Sequence, residues 1–311
     1  MPDLSPTSRP TLHTQAFLLS ALAAVFWGTN FEATRIVLAE SPPWTAAALR
    51  FVVAAGAALL WLWATRGITF AVLRRNAVAF VLLGLIGVAG FNAALFLGMK
   101  TSSPVTAALI MGTSPLTTNL LEALFNRRRP AGLALAGMGI SLVGVALTVG
   151  AFSGARFAPG DLLIAGGSLA WALYSIGCRR WVKGAAPLET TVWTMVFGTA
   201  ALAGIAVVLE NPLQVMADAS PVFWLVSLHM ALVGSVLAFV FWQIGIARRG
   251  PAATSILFNL VPVSALVVAA GFGRIPDWSQ VLGVGVAIFG VWLASRPQRK
   301  PLVPVLATQS A

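Results

Sequence analysis

Charge is scarce in this chain. Lys, Arg, Asp and Glu make up 9% of its 311 residues, against about 25% in soluble domains. Hydrophobic residues reach 58%, more than a folded core can absorb, so the outer surface must be apolar as well. This excludes a water-soluble globular protein and places the chain in a bilayer. The single cysteine, Cys178, lies in an apolar run, so there is no disulfide framework. The two histidines, His13 and His229, stand in no HExxH-type setting, and no Ser/His pair or pair of mid-membrane aspartates is ready for hydrolysis. No metal and no cofactor is expected. The nine acidic residues leave a formal net charge of +11. That surplus does not point to nucleic acid, because the basic residues punctuate hydrophobic runs and do not gather on a polar module. Residues 1–15 are polar and rich in Pro and Ser. They lack the early apolar segment of a signal peptide, so the first span is expected to stay attached.

What is abundant is long apolar runs. A spanning helix needs about 20 mainly apolar residues. Reading between charged and Pro/Gly breaks predicts ten spans, over 16–38, 43–65, 77–97, 103–125, 130–151, 161–181, 188–209, 221–243, 250–272 and 277–295. The runs do not alternate as barrel strands would, and the fold class is an all-α integral membrane protein. The basic residues test the count. One side receives Arg9, Arg66, Arg74, Arg75, Arg127, Arg128, Arg129, Arg179, Arg180, Lys183, Arg248, Arg249, Arg296, Arg299 and Lys300. The other receives Lys100, Arg156 and Arg274. By the positive-inside rule the rich side is cytoplasmic, with both termini on it. A missed span would have scrambled this sorting.

The second half echoes the first. A shift of 144 carries Trp27 to Trp171, Arg35 to Arg179 and Pro43 to Pro187. A shift of 147 carries Gly87 to Gly234, Pro104 to Pro251 and Pro115 to Pro262. The expected organisation is a tail over 1–15, five-helix repeats over 16–151 and 161–295, and a tail over 296–311. Five is odd, so the second repeat enters the membrane from the opposite side. Inverted repeats recur in secondary transporters, with the substrate site near the midplane between them.

In lipid a polar side chain costs free energy unless it faces protein or water, so polar and aromatic faces mark the path. Span one offers Trp27, Asn30 and Phe31 on one face, and span six the matching Trp171, Tyr174, Ser175 and Cys178. Span three adds Asn92 and Phe96, and span eight Phe239, Trp242 and Gln243. Spans four and nine each carry two prolines. The interior ones, Pro115 and Pro262, free the carbonyls of Met111 and Phe258, close to Ser114 and Asn259. Broken spans at matching places in two halves point to a transport site. Near the outer ends of spans one and two, Glu32, Arg35 and Arg50 read either as an ion pair holding the hairpin or as an outer gate or a handle for a charged substrate group. Spans two, five, seven and ten are expected outside, packing through small residues such as Gly137, Gly144, Gly283 and Gly290.

"WGTNF", "ALRF" early in the second span and the P-x10-P spacing of the fourth resemble the drug/metabolite transporter superfamily, in particular the ten-helix EamA-type exporters. The resemblance runs from about residue 16 to 295. It implies a bacterial inner-membrane exporter of amino acids or other metabolites, with a cavity lined by spans one, three, four, six, eight and nine. The aromatic faces resemble those of its aromatic amino-acid exporters. One departure stands out: the turns after spans four and nine, where members often carry an acid, read "FNRRRP" and "GFGRIP" here. The function expected is a secondary transporter, a monomer or weak homodimer, exporting a small metabolite such as an aromatic or otherwise apolar amino acid by alternating access. The alternatives are a nucleotide-sugar or phosphate-ester exchanger, a channel and an intramembrane enzyme.

Overall fold

A computed structural model describes residues 8–127, 132–148 and 158–294. Residues 1–7, the expected C-terminal tail with Arg296, Arg299 and Lys300, and the loop arginines Arg128, Arg129 and Arg156 lie outside these residues, as does the side chain of Arg9; residues 8–15, expected in the N-terminal tail, are instead helical and continue the first span. Helices account for every regular element among the described residues. The spans are α1 (Ser8–Leu38), α2 (Pro43–Arg66), α3 (Phe70–Gly98), α4a (Pro104–Gly112) with α4b (Ser114–Phe125), α5 (Gly132–Thr148), α6 (Pro159–Trp181), α7 (Pro187–Leu209), α8 (Pro221–Arg249), α9 (Pro251–Gly271) and α10 (Trp278–Ala294). Seven of them, α1, α2, α3, α6, α7, α8 and α9, are long and apolar enough to cross a membrane. Helices α5 and α10 have 17 residues each, about 26 Å at 1.5 Å per residue, close to the lower bound for a span. The fourth span is divided at Thr113.

Local chemistry sets the ends. Proline opens α2, α4a, α6, α7, α8 and α9, where its missing N–H costs nothing and its fixed φ suits the first turn. Ser103 and Ser220 cap the helices that follow them, and Asp161 and Glu189 accept the backbone N–H of Ala158 and Ala186. Gly67 and Gly250, with φ of 71° and 82°, close α2 and α8. Three spans are longer than their apolar windows, the first of them α1, which starts at Ser8 rather than 16. Helix α3 starts at Phe70 rather than 77, and α8 runs to Arg249 rather than 243. Arg74, Arg75, Arg248 and Arg249 ride on these extensions, and a long basic side chain can keep its charge in a polar zone while its stem covers apolar surface. A short helix, Pro212–Asp218, in the α7–α8 connection was not anticipated.

Packing follows one scheme twice. Helix α1 packs against α8 and α9, while α6 packs against α3 and α4b. Helix α2 packs against α7, and α5 against α10. Exchanging the halves maps this scheme onto itself. The irregularities match as well: α3 contains a π-helical turn at Gly84–Gly90 and α8 one at Leu232–Leu237, and the fourth and ninth spans are interrupted at Thr113 and by a 3-10 turn at Ile256–Asn259. The α5–α10 pair sits aside, its backbones brought together at the expected small residues. Gly137 lies against Gly290 and Ala294, and Gly144 against Gly283 and Ala287.

Candidate functional site

The two halves meet at a cluster of aromatic rings. Trp27 of α1 stands edge-on to Trp171 of α6 at 5.1 Å and to Trp242 of α8 at 5.1 Å, and stacks on Phe258 of α9 at 5.2 Å. Trp171 continues to Phe239 at 5.2 Å, Tyr174 at 5.1 Å and Phe91 at 5.2 Å. Edge-on and offset contacts suit the ring quadrupoles. Trp27 Nε1 donates to the carbonyl of Gly234 at 2.9 Å, whereas Trp171 Nε1 is buried without a partner among the described residues.

A narrow void of about 20 Å³ lies within the cluster, lined by Trp27, Asn30, Phe31, Arg50, Phe91, Leu95, Met111, Trp171, Phe239, Phe258 and Val261. The rings crowd it so closely that it has room for little more than one water. The sequence places Trp27 opposite Trp171 across a water-filled cleft. The structure does bring the two indoles face to edge, but they touch, and this is a closed arrangement.

Several expected residues lie elsewhere. Asn92 is buried one position off the void, donating to the Val88 carbonyl at 2.8 Å, and Phe96 is buried beside it. Phe91 and Leu95 line the void instead. The displacement is one residue, the insertion that a π turn ending at Gly90 makes. Ser114 is buried with its hydroxyl unpartnered, outside the lining. Asn259 is half-buried in the 3-10 turn and also outside it. Tyr174, Trp242, Ser175 and Gln243 form a layer toward the arginine-rich end. Gln243 Nε2 donates to Tyr174 Oη at 2.8 Å and to Cys178 Sγ at 3.3 Å, and Trp242 Nε1 reaches Ser175 Oγ at 3.5 Å. Gln243 and Cys178 also line a hollow that opens at that end beside Arg179 and Gly184. Pro115 and Pro262 are buried, and the Pro262 ring packs on Gly112. The two breaks therefore meet inside the bundle, although the fourth span parts at Thr113 rather than at the Met111 carbonyl. Thr113 Oγ1 ties the broken end by donating to the Ile110 carbonyl at 2.6 Å.

The trio Glu32, Arg35 and Arg50 is not one cluster. Glu32 is 2% exposed, and its Oε1 accepts from Arg35 Nε at 2.7 Å and from Arg274 in the turn after α9. The arginine that replaces an acid in that turn is therefore paired with α1. Arg50 instead reaches inward from α2, a helix expected outside. It donates from Nε to Ser235 Oγ at 2.9 Å and from Nη2 to the Gly234 carbonyl at 3.3 Å. Its position in "ALRF" was visible in the sequence, but its direction depends on the π turn of α8. There Ser235 bonds back to the Met230 carbonyl, five residues earlier, and turns both anchors toward α2.

Polar ties close the bundle at both ends. At the arginine-rich end Asn76 accepts from the Lys183 N–H at 2.7 Å and donates to its carbonyl at 3.1 Å, and Arg75 donates to the Gly184 carbonyl at 3.1 Å. At the other end Glu40 accepts from the N–H and hydroxyl of Ser220 at 2.9 and 2.7 Å. Those two bonds hold its carboxyl below the ordinary value, the backbone N–H contributing more. Glu210 accepts from the N–H groups of Trp44 and Thr45 at the start of α2, where a helix N-terminus favours a carboxylate. The Asn76–Lys183 and Glu40–Ser220 ties correspond: each joins the turn after the first helix of one repeat to the start of the third span of the other.

A helical bundle of membrane-spanning length, with paired broken helices around a ring-lined void, defines a multi-pass membrane transporter. The comparisons identify the family. The EamA-like transporter family matches residues 14–150 and again 158–296, and the chain belongs to that family, within the drug/metabolite transporter superfamily. It is 34% identical to the transporter YyaM of Bacillus subtilis over 93% of this chain and 96% of that one. It is 30% identical to the aromatic amino acid exporter YddG of Ancylobacter novellus over 92% and 98%. It is 26% identical to a probable terminal-alkyne amino-acid exporter of Streptantibioticus cattleyicolor over 71% and 74%. A crystal structure with 24% identity superposes with a TM-score of 0.69 over 90% of this chain and 96% of that one, which supports the fold.

Proposed function

We propose that the protein is a secondary transporter that exports amino acids, those with aromatic or other apolar side chains above all, across the cytoplasmic membrane of a bacterium by alternating access. The observation that carries this reading is the ring-lined void between two matching halves. Its supports are the packing that maps onto itself, the odd number of spans in each half, which inverts the second against the first, and two relatives named as amino-acid exporters. In this reading the arginine-rich end and both termini are cytoplasmic. Trp27, Trp171, Phe239 and Phe258 hold the apolar side chain, and Asn30 the polar end. The breaks at Pro115 and Pro262 serve as hinges, and Glu32 with Arg35 and Arg274 closes the outer gate. The protein works without a cofactor and as a monomer or weak homodimer, and no catalytic role is assigned. A nucleotide sugar or phosphate ester would call for several cations around the void, and among the described residues Arg50 is the one lysine or arginine that lines it. Uptake of a labelled amino-acid panel into proteoliposomes tests the proposal. Saturable flux of phenylalanine or tryptophan is expected. Flux of phosphate esters with none of any amino acid would overturn it.

A further inference from the structure

On the wall of the void stands a positive charge, Arg50, with no counter-charge among the described residues. Arg50 is 4% exposed and forms no ion pair among the described residues. Among the described residues no Asp or Glu lines the void. The nearest buried acid along the chain, Glu32, is shared by Arg35 and Arg274. Two of the five guanidinium N–H groups are used, one on Ser235 and one on Gly234, and no hydrogen bond from Nη1 is formed among the described residues. Asn30 also lines the void, is 4% exposed, and both polar atoms of its amide are without partners among the described residues. Gly234 brings these groups together: its carbonyl takes Trp27 and Arg50, and its bare Cα lies against the Asn30 amide. Buried polar groups are normally satisfied, so unpaired donors on residues that line a void await a partner.

The partner's chemistry follows from the groups. A guanidinium presents a planar fork that matches a carboxylate, and the bond is charge-assisted. Asn30 can add an N–H donor. The other walls are rings and aliphatic side chains, so the remainder of the partner is apolar. An ammonium finds no acid on the walls and would be repelled by Arg50. Resting on the transporter reading above, we propose that Arg50 and Asn30 form a carboxylate-binding site, and that the protein takes aromatic and bulky apolar monocarboxylates whether or not they carry an α-amino group. The carboxylate is the recognised feature, and the amine is dispensable.

Binding to the purified wild-type protein decides this without relying on a variant that must fold. The probes are L-phenylalanine, 3-phenylpropanoate, 3-phenylpropanamide and 2-phenylethylamine, followed by tryptophan fluorescence. Both acids are expected to bind with affinities within about tenfold of each other. The amide should be weaker by about tenfold or more, the usual difference for losing a charged hydrogen-bond partner, and the amine should not bind. In Arg50→Gln, assayed below its melting temperature, the gap between 3-phenylpropanoate and its amide should vanish, and Arg50→Lys should restore part of it. Equal binding of amide and acid, or binding of L-phenylalanine without 3-phenylpropanoate, overturns the carboxylate site but leaves the aromatic amino-acid reading standing. Failure of all four to bind overturns that reading, and this inference with it.

Discussion

Trp27 touches four rings and one backbone carbonyl, so its two roles can be separated. Trp27→Phe keeps a ring and loses the bond to Gly234, while Trp27→Ala loses both. Aromatic pairs contribute about 0.5–1.5 kcal/mol beyond area, and truncating a buried aromatic costs about 3–5 kcal/mol. Thermal melting in detergent should therefore fall clearly for Trp27→Ala and by less for Trp27→Phe, and substrate affinity should follow the same order. A second comparison separates neighbours. Phe91→Ala should weaken binding of an aromatic substrate by about tenfold, whereas Asn92→Leu should leave it within about twofold, because Asn92 bonds its own helix and not the void. Residue types were legible in the sequence and side-chain direction less so. The Trp27–Trp171 encounter followed from the repeat alone. The inward turn of Arg50 and the replacement of Asn92 by Phe91 both depend on π turns, which a period of 3.6 cannot reveal.

Broken and widened helices carry the geometry at the next scale. Both π turns present a glycine to a side chain of another span: Gly87 faces the Tyr174 ring and Gly234 the Asn30 amide. A methyl at either place must displace its neighbour, at a cost of about 1–3 kcal/mol. Gly139 and Gly285 meet nothing nearby, also in helices of this bundle. Gly87→Ala and Gly234→Ala are expected to lower the melting temperature and the transport rate together, and Gly139→Ala and Gly285→Ala to leave both unchanged. If all four melt alike, close approach is not what these glycines provide. Span existence was readable from apolar length. Helix ends were less so, because α3 and α8 continue on arginine stems past the apolar window. The matched prolines correctly marked where the fourth and ninth spans are irregular.

As a whole, the molecule is held shut by corresponding ties at opposite ends, Asn76 with Lys183 and Glu40 with Ser220. A transporter that alternates must release one set at a time, and a ligand shifts the two states only by binding them unequally. The Glu40 tie has a pH signature. Its folded pKa is depressed below the ordinary 4.5, so its contribution is present above that value and is lost as the pH falls through the depressed one. Below pH 4.5 the wild-type melting temperature should drop more steeply than that of Glu40→Gln, and equal slopes would show that the tie contributes nothing. The doubling of the chain was legible at this scale, since glycines and prolines recur in order. The closed, ring-packed state was not, because composition does not say how far two halves have moved together.

Counterflow of labelled phenylalanine into proteoliposomes loaded with the unlabelled amino acid probes the ring-walled void and the alternation at once. Transient, saturable accumulation is expected with the wild type, falling at least about tenfold in Phe258→Ala assayed below its melting temperature. Entry that rises linearly without saturation, or counterflow undiminished in Phe258→Ala, would contradict a substrate site between the two halves.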